Sequence, residues 1–240
     1  MDSNSITGIL RYSLDSGVSV YGGLRYTSID TQATVANGLF SYVLNSAEGN
    51  GTGYLAGVAY EIPEIALRVA LTYNSSIDMT MTTLEAGVVN GSTNISTPQS
   101  LHLEAQSGIA EDTLLFGSVR WVDWSSFSFS PPNYPVNPLL SYSRDSYTYT
   151  LGVGRRINDE WSASATVSHE SASGQPATDL APTDGRTGLT LGVRYEQDGY
   201  TISGGVNYTW LGDTTTAAPI GASFADNHVL GAGISVGVNF

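Results

Sequence analysis

The segment His228-Val229-Leu230-Gly231-Ala232-Gly233-Ile234-Ser235-Val236-Gly237-Val238-Asn239-Phe240 decides the fold class. Leu230, Ala232, Ile234, Val236, Val238 and Phe240 alternate with Gly231, Gly233, Ser235, Gly237 and Asn239. An extended chain carries successive side chains on opposite faces, so one face is apolar and the other small or polar. That is the pattern of a β-strand with one face in lipid. Ile202, Gly204, Val206, Tyr208 and Trp210 repeat it against Ser203, Gly205, Asn207 and Thr209, as do Leu189, Leu191, Val193 and Tyr195 against Thr190, Gly192 and Arg194.

Upstream, similar runs cover Trp161 to His169, Tyr147 to Arg155, Leu114 to Trp124, Leu101 to Ile109, Ala66 to Asn74, Tyr54 to Tyr60, Val18 to Tyr26 and Ile6 to Tyr12. About eleven strands result, most near the roughly 9 to 11 residues that a tilted strand needs to cross a bilayer. Lipid does not tolerate an open sheet edge, so the pattern predicts an all-β, antiparallel transmembrane barrel occupying residues 1–240 as a single domain.

Composition agrees. Only 13% of the 240 residues are charged, with 27 Gly and 14 Tyr, an unusual profile for a soluble globule. The net charge of −13 argues against a nucleic-acid partner, whose phosphates require Lys and Arg. All nine cationic residues are Arg. Absence of Cys excludes disulfides, thiolate metal sites and cysteine nucleophiles. No stretch approaches the roughly 20 apolar residues of a spanning helix, and Met1 to Leu10 shows no signal-peptide pattern.

The connections alternate in length. Short turns fall at Asp15-Ser16-Gly17, Pro63-Glu64, Glu111-Asp112, Asn158-Asp159-Glu160 and Gln197-Asp198-Gly199. Long connections run around Thr31 to Gly51, Ser75 to Ser100, Ser125 to Ser143, Ser171 to Gly185 and Leu211 to Asn227. Short periplasmic turns and long external loops are the outer-membrane arrangement of Gram-negative bacteria. If the last strand ends at the periplasmic rim, every short turn is periplasmic and every long loop external. The first strand then also runs toward the periplasm, so an even-stranded barrel requires an odd number of strands before it. The chain is therefore expected to lack an N-terminal portion.

Tyr12, Tyr60 and Tyr195 near one rim and Tyr26, Tyr73, Trp121, Tyr208 and Trp210 near the other suit an interfacial aromatic girdle. The alternation turns Arg11, Arg25, Arg68, Arg120 and Arg194 inward, away from lipid. Ser128 to Leu140, with Pro131, Pro132, Pro135 and Pro138, reads as a stiff external loop, because proline has no ladder donor.

The segment Thr97-Pro98-Gln99-Ser100-Leu101 and, after a strand and a turn, Ser118-Val119-Arg120-Trp121-Val122-Asp123-Trp124-Ser125-Ser126-Phe127 resemble motifs of the FadL family of outer-membrane transporters for long-chain fatty acids and other hydrophobic compounds. Gly154 to Trp161, Asp184 to Tyr195 and Tyr208 to Asp213 are similar to that family's last strands. So are Ala56 to Glu61 and Ala66 to Ser75, and the resemblance covers nearly the whole chain. It implies a fourteen-stranded barrel with an N-terminal hatch and a lateral opening, of which this chain would supply strands four to fourteen. It also implies passive uptake of hydrophobic compounds.

A fatty acid needs an apolar surface and a cation for its carboxylate. Among inward residues, Arg68, Phe116, Arg120 and Trp124 are candidates to supply them, although a lumen Arg more often joins a wall-stabilising charge network. Phe240 is the expected assembly signal, read by the barrel assembly machinery. Hydrophobic small molecules, outer-membrane lipids and lipopolysaccharide are the other expected partners. No cofactor or metal is expected: His102, His169 and His228 fall on separate strands, and Asp179, Asp184, Asp213 and Asp226 show no regular ligand spacing. Two other functions fit the strands alone, a general diffusion porin and an autotransporter translocator. An enzyme does not, since no catalytic pairing is readable.

Overall fold

The structure, a computed structural model, describes residues 1–36, 41–87, 89–135, 138–217 and 221–238. Phe240, the expected assembly signal, lies outside the described residues.

Eleven strands form one antiparallel sheet, in the order β1 (Asp2–Ser13), β2 (Val18–Asp30), β5 (Gly49–Ile62), β6 (Leu67–Asn74), β9 (Ser100–Ala110), β10 (Thr113–Val122), β13 (Ser146–Arg156), β14 (Trp161–Glu170), β15 (Arg186–Gln197), β16 (Tyr200–Leu211) and β19 (His228–Val238). Each predicted strand is present, and several are longer than the alternation alone marked. Leu114 to Trp124 is the one that stops early: β10 ends at Val122, and Trp124–Ser126 makes a 3-10 turn. The sheet is open, with β1 and β19 at its two edges.

The short turns join the strands at one end. Gly17 shows why a turn residue is fixed there: its φ of +80° suits glycine, and a Cβ would meet the Glu61 carbonyl oxygen at 2.4 Å.

Register reveals how the sheet tilts. Following cross-strand partners from Tyr12 leads through Val20, Val58, Leu71, Leu103, Val119, Tyr149, His169, Thr187 and Trp210 to His228. The row starts beside the short-turn end of β1 and finishes at the long-loop end of β19. It therefore drifts roughly 30 Å along the strands over roughly 48 Å across them, a tilt of about 30–35°. Such stagger is the geometry of a barrel wall rather than of a flat sheet.

That row lies on the apolar face, where Leu24, Leu151 and Ile234 are exposed at 66%, 61% and 78%. A wall with its apolar face turned outward has little buried core of its own. The principal core instead sits at the long-loop end. Two of the long connections, expected as loops, fold into a second four-stranded sheet of β3 (Gln32–Ala36), β4 (Ser41–Ser46), β7 (Ile77–Glu85) and β8 (Val89–Thr97). In β7, Ile77, Met79, Met81, Thr83 and Glu85 alternate as buried residues with exposed neighbours, the ordinary pattern of a one-sided strand. They pack with Ile29, Tyr42, Leu44 and Ile95, and with Phe127, Phe129 and Leu139 from the Ser125 to Ser143 connection.

Ser128 to Leu140, expected as a loop throughout, enters a ladder at its ends, while its four prolines stay outside it. Only its flanks pair, as β11 (Ser128–Phe129) with β12 (Leu140–Ser141), while Pro131 is buried in the cap. A last small ladder joins β17 (Thr214–Thr215) to β18 (Ser223–Phe224).

The Glu85 carboxylate is completely buried and holds the cap together. It accepts hydrogen bonds from Tyr42 Oη at 2.7 Å, Thr83 Oγ1 at 2.9 Å and the Asn133 backbone N–H at 2.9 Å. Burial pushes its pKa upward, but these donors outweigh it and hold the carboxyl below the ordinary range. Burial and the same carboxylate push the Tyr42 phenol up, so Tyr42 stays the donor.

Candidate functional site

On the inner face, another register row runs Arg11, Tyr21, Gly57, Thr72, His102, Arg120, Thr148, Glu170, Arg186 and Leu211. The predicted inward arginines share this face. They differ in what they meet. Arg11 and Arg68 both bind Glu61, at 2.8 and 3.2 Å, and Arg68 reaches Glu104 at 4.0 Å. Arg194 pairs with Glu196 at 2.9 Å. Arg25 donates only to Thr7 Oγ1, and Arg120 has no ion pair or hydrogen bond among the described residues.

The four candidate residues divide into two pairs. Arg68 and Phe116 face each other across Gln106 in one row. Arg120 and Trp124 lie beyond Phe116 toward the long loops, Arg120 about 14 Å along the strand from it. Phe116 lies over Gly152, where a Cβ would stand 2.4 Å from its ring. Arg120 and Trp124 line a cavity of about 1140 Å³ at the long-loop end, and Arg68 and Phe116 do not.

The cavity is bounded by β1, β2, β10, β13 and β15 and roofed by the connections around residues 141–146 and 171–186. Ile29, Ile77, Val122, Trp124 and Tyr142 supply its apolar surface, and serines and threonines much of the remainder. The Trp124 ring packs on Tyr142 at 4.9 Å and on Phe127 at 5.7 Å.

Arginines slightly outnumber acids around this cavity. Among the described residues lining it are four arginines, Arg25, Arg120, Arg144 and Arg186, against Asp145, Glu170 and Asp184. Glu170 is occupied by Arg186 at 3.1 Å. Asp184 accepts backbone N–H groups of Ser173 and Gly174; burial raises its pKa, but these bonds and the nearby Arg144 charge bring it below the ordinary value. A small positive excess thus sits in a chain of net charge −13.

Asp145 explains the sequence motif that places Trp124. It accepts from Trp121 Nε1 at 2.9 Å, and from the backbone N–H and hydroxyl of Ser125 at 3.1 and 2.7 Å. The Ser125 hydroxyl leads the causes that keep this carboxyl below its usual range. On the other side, Tyr73 Oη donates to Gln99 Oε1 and Gln99 Nε2 donates to Asp123, at 2.8 and 2.9 Å. Thr97 to Leu101 and Trp121 to Ser125 are therefore tied together by polar side chains. Asp145 and Gln99 had no sequence signal as positioning groups beyond lying in or near those motifs.

His102 faces inward on β9, whereas His169 and His228 face outward on β14 and β19 in one row. Among the described residues no group of three potential ligands assembles for a metal ion.

A tilted antiparallel wall, apolar outside, polar inside and capped at the long-loop end, has the architecture of a transmembrane β-barrel wall. The chain belongs to the family of outer membrane protein transport proteins (OMPP1/FadL/TodX), whose profile matches residues 25–229. These are transport proteins rather than enzymes. Among solved structures, it resembles a FadL homologue of Pseudomonas aeruginosa at 15% identity and TM-score 0.66, covering 98% of this chain and 65% of that one. It also resembles the Pseudomonas putida toluene transporter TodX, at 13% identity and TM-score 0.59 over 98% of this chain and 70% of that one. The Ralstonia pickettii toluene transporter TbuX matches at 16% identity and TM-score 0.57, over 86% of this chain and 64% of that one. The chain thus spans about two thirds of the length of these relatives. No curated protein sequence matches it.

Proposed function

We propose that this chain forms the wall and outer cap of a multi-pass channel in a Gram-negative outer membrane, and that the channel admits amphipathic anions of the long-chain fatty acid class. The short turns face the periplasm and the cap faces outward. Arg25 and Arg120 carry the argument, because neither meets a carboxylate of its own in a cavity that also presents Trp124, Tyr142 and Ile29. A ligand with a carboxylate head and an apolar tail satisfies both features; a neutral hydrocarbon such as toluene satisfies only the second. Arg120 and Trp124 form the first station, with Phe116 and Arg68 further along the same inner face. Lipopolysaccharide, assembly-machinery recognition of Phe240 and passive transport belong to the same reading.

Equilibrium binding of oleate and toluene to the reconstituted protein tests it. Arg25→Gln and Arg120→Gln are each expected to weaken oleate roughly tenfold, a charge-assisted hydrogen bond being worth about 1.5–3 kcal/mol. Toluene binding should be unchanged. Oleate affinity indifferent to both substitutions would overturn the assignment.

A further inference from the structure

All nine arginines are among the described residues, eight of them on wall strands, and one of those eight departs from the rule the other seven follow. Arg11, Arg25, Arg68, Arg120, Arg156, Arg186 and Arg194 turn to the inner face, and Arg144 lies in a connection. Arg155 is on the outer face. It shares its row with Thr113 and Ala163 and follows Leu151 and Val153 along the apolar side of β13. It has no ion pair among the described residues and donates only to Thr113 Oγ1, at 3.0 Å. The adjacent carboxylate of Asp112 is held instead by Arg156, at 3.0 Å.

A guanidinium carries five N–H donors, so most of those on Arg155 face outward without a protein partner. Its surroundings suit an interface. The outward Trp161 lies diagonally across from it on β14, within reach of a long side chain, and its ring packs at a tilt against Tyr195, centroids 4.9 Å apart. Tyr195 and Tyr200 both donate to Gln197 Oε1 at 2.7 Å, which fixes their hydroxyls toward the short-turn rim. Away from the rim, Val153, Ala163, Ala165, Leu191 and Val193 continue as apolar surface, the two alanines leaving it shallow between their larger neighbours.

We infer that Arg155 and Trp161 form a phospholipid site on the outside of the wall, at the periplasmic leaflet. The guanidinium takes the phosphodiester oxygens, Trp161 and Tyr195 sit at headgroup depth, and an acyl chain lies over Ala163 and Ala165. The inference rests on the membrane orientation proposed above. Charge selects the occupant: a phosphate pairs with the cation, and only a lipid phosphate brings a chain for the surface beside it.

The test is native mass spectrometry of the detergent-solubilised protein titrated with phosphatidylglycerol, comparing the wild type with Arg155→Gln and Arg155→Lys. Folding is checked by β-sheet circular dichroism, and the orientation by protease access to the cap in vesicles. Arg155→Gln is expected to lower lipid retention about tenfold and Arg155→Lys less, with ten millimolar inorganic phosphate (roughly, as a free-ion control) failing to displace the lipid. Equal retention in folded wild type and Arg155→Gln would overturn the site. A cap digested only from the periplasmic side would overturn the orientation instead.

Discussion

At the scale of single residues, the cap depends on one acid. Removing the Glu85 carboxylate leaves Tyr42, Thr83 and Asn133 with donors and no acceptor in a dry interior. Glu85→Ala is expected to cost the cap about 2–4 kcal/mol, read as faster amide hydrogen exchange in β7 and β8, with Glu85→Gln intermediate. The pH dependence has a definite sign. Because the folded carboxyl is held below its ordinary value, its contribution is complete above the ordinary carboxylate range and fades as pH falls through the depressed value. Exchange in the cap should therefore rise in acid, below the ordinary carboxylate range, before exchange in the wall does. None of this is legible in the sequence, since a Glu in a Thr-rich stretch reads as solvated until the facing strands are known. The inward arginines show the same limit. Alternation assigned their face, but whether an Arg meets a carboxylate depends on register across strands. Arg68 finds Glu61 and Glu104, whereas Arg120, on the same face, finds neither.

At the scale of elements, rings on one strand rest on glycines of the next. Tyr21 lies across Gly57, so that its hydroxyl meets Thr72 Oγ1 two strands away, at 2.5 Å. A Cβ on Gly57 would stand 2.3 Å from that ring. Gly57→Ala is expected to destabilise the wall by about 1–3 kcal/mol in urea unfolding from micelles. Combining it with Tyr21→Ala should give less than the summed losses, and strict additivity would show that the ring and the glycine do not interact. The wall strands were legible because alternation, turn residues and length agreed. In the cap, Ile77, Met79 and Met81 carry the same period of two, but they lie between strands already assigned and so pass for a loop. Trp124 misled in the other direction: the apolar run continues into it, yet the backbone has already left the ladder at Val122.

At the scale of the molecule, the drift from Tyr12 to His228 sets the inclination of the whole wall. Polarised infrared spectroscopy of oriented bilayers should report amide I dichroism for strands about 30–45° from the membrane normal, and a value near zero would contradict the register described. The same topology separates wall from cap. Strands β3 and β4 leave β2 and return to β5, and β7 and β8 leave β6 and return to β9, each excursion between strands that are already hydrogen-bonded partners. A lineage could therefore exchange either hairpin for one of different length or chemistry and keep every wall pairing in place. Ligand preference would then diversify at the mouth while the membrane-spanning frame stays inherited, letting relatives with little sequence in common retain one scaffold.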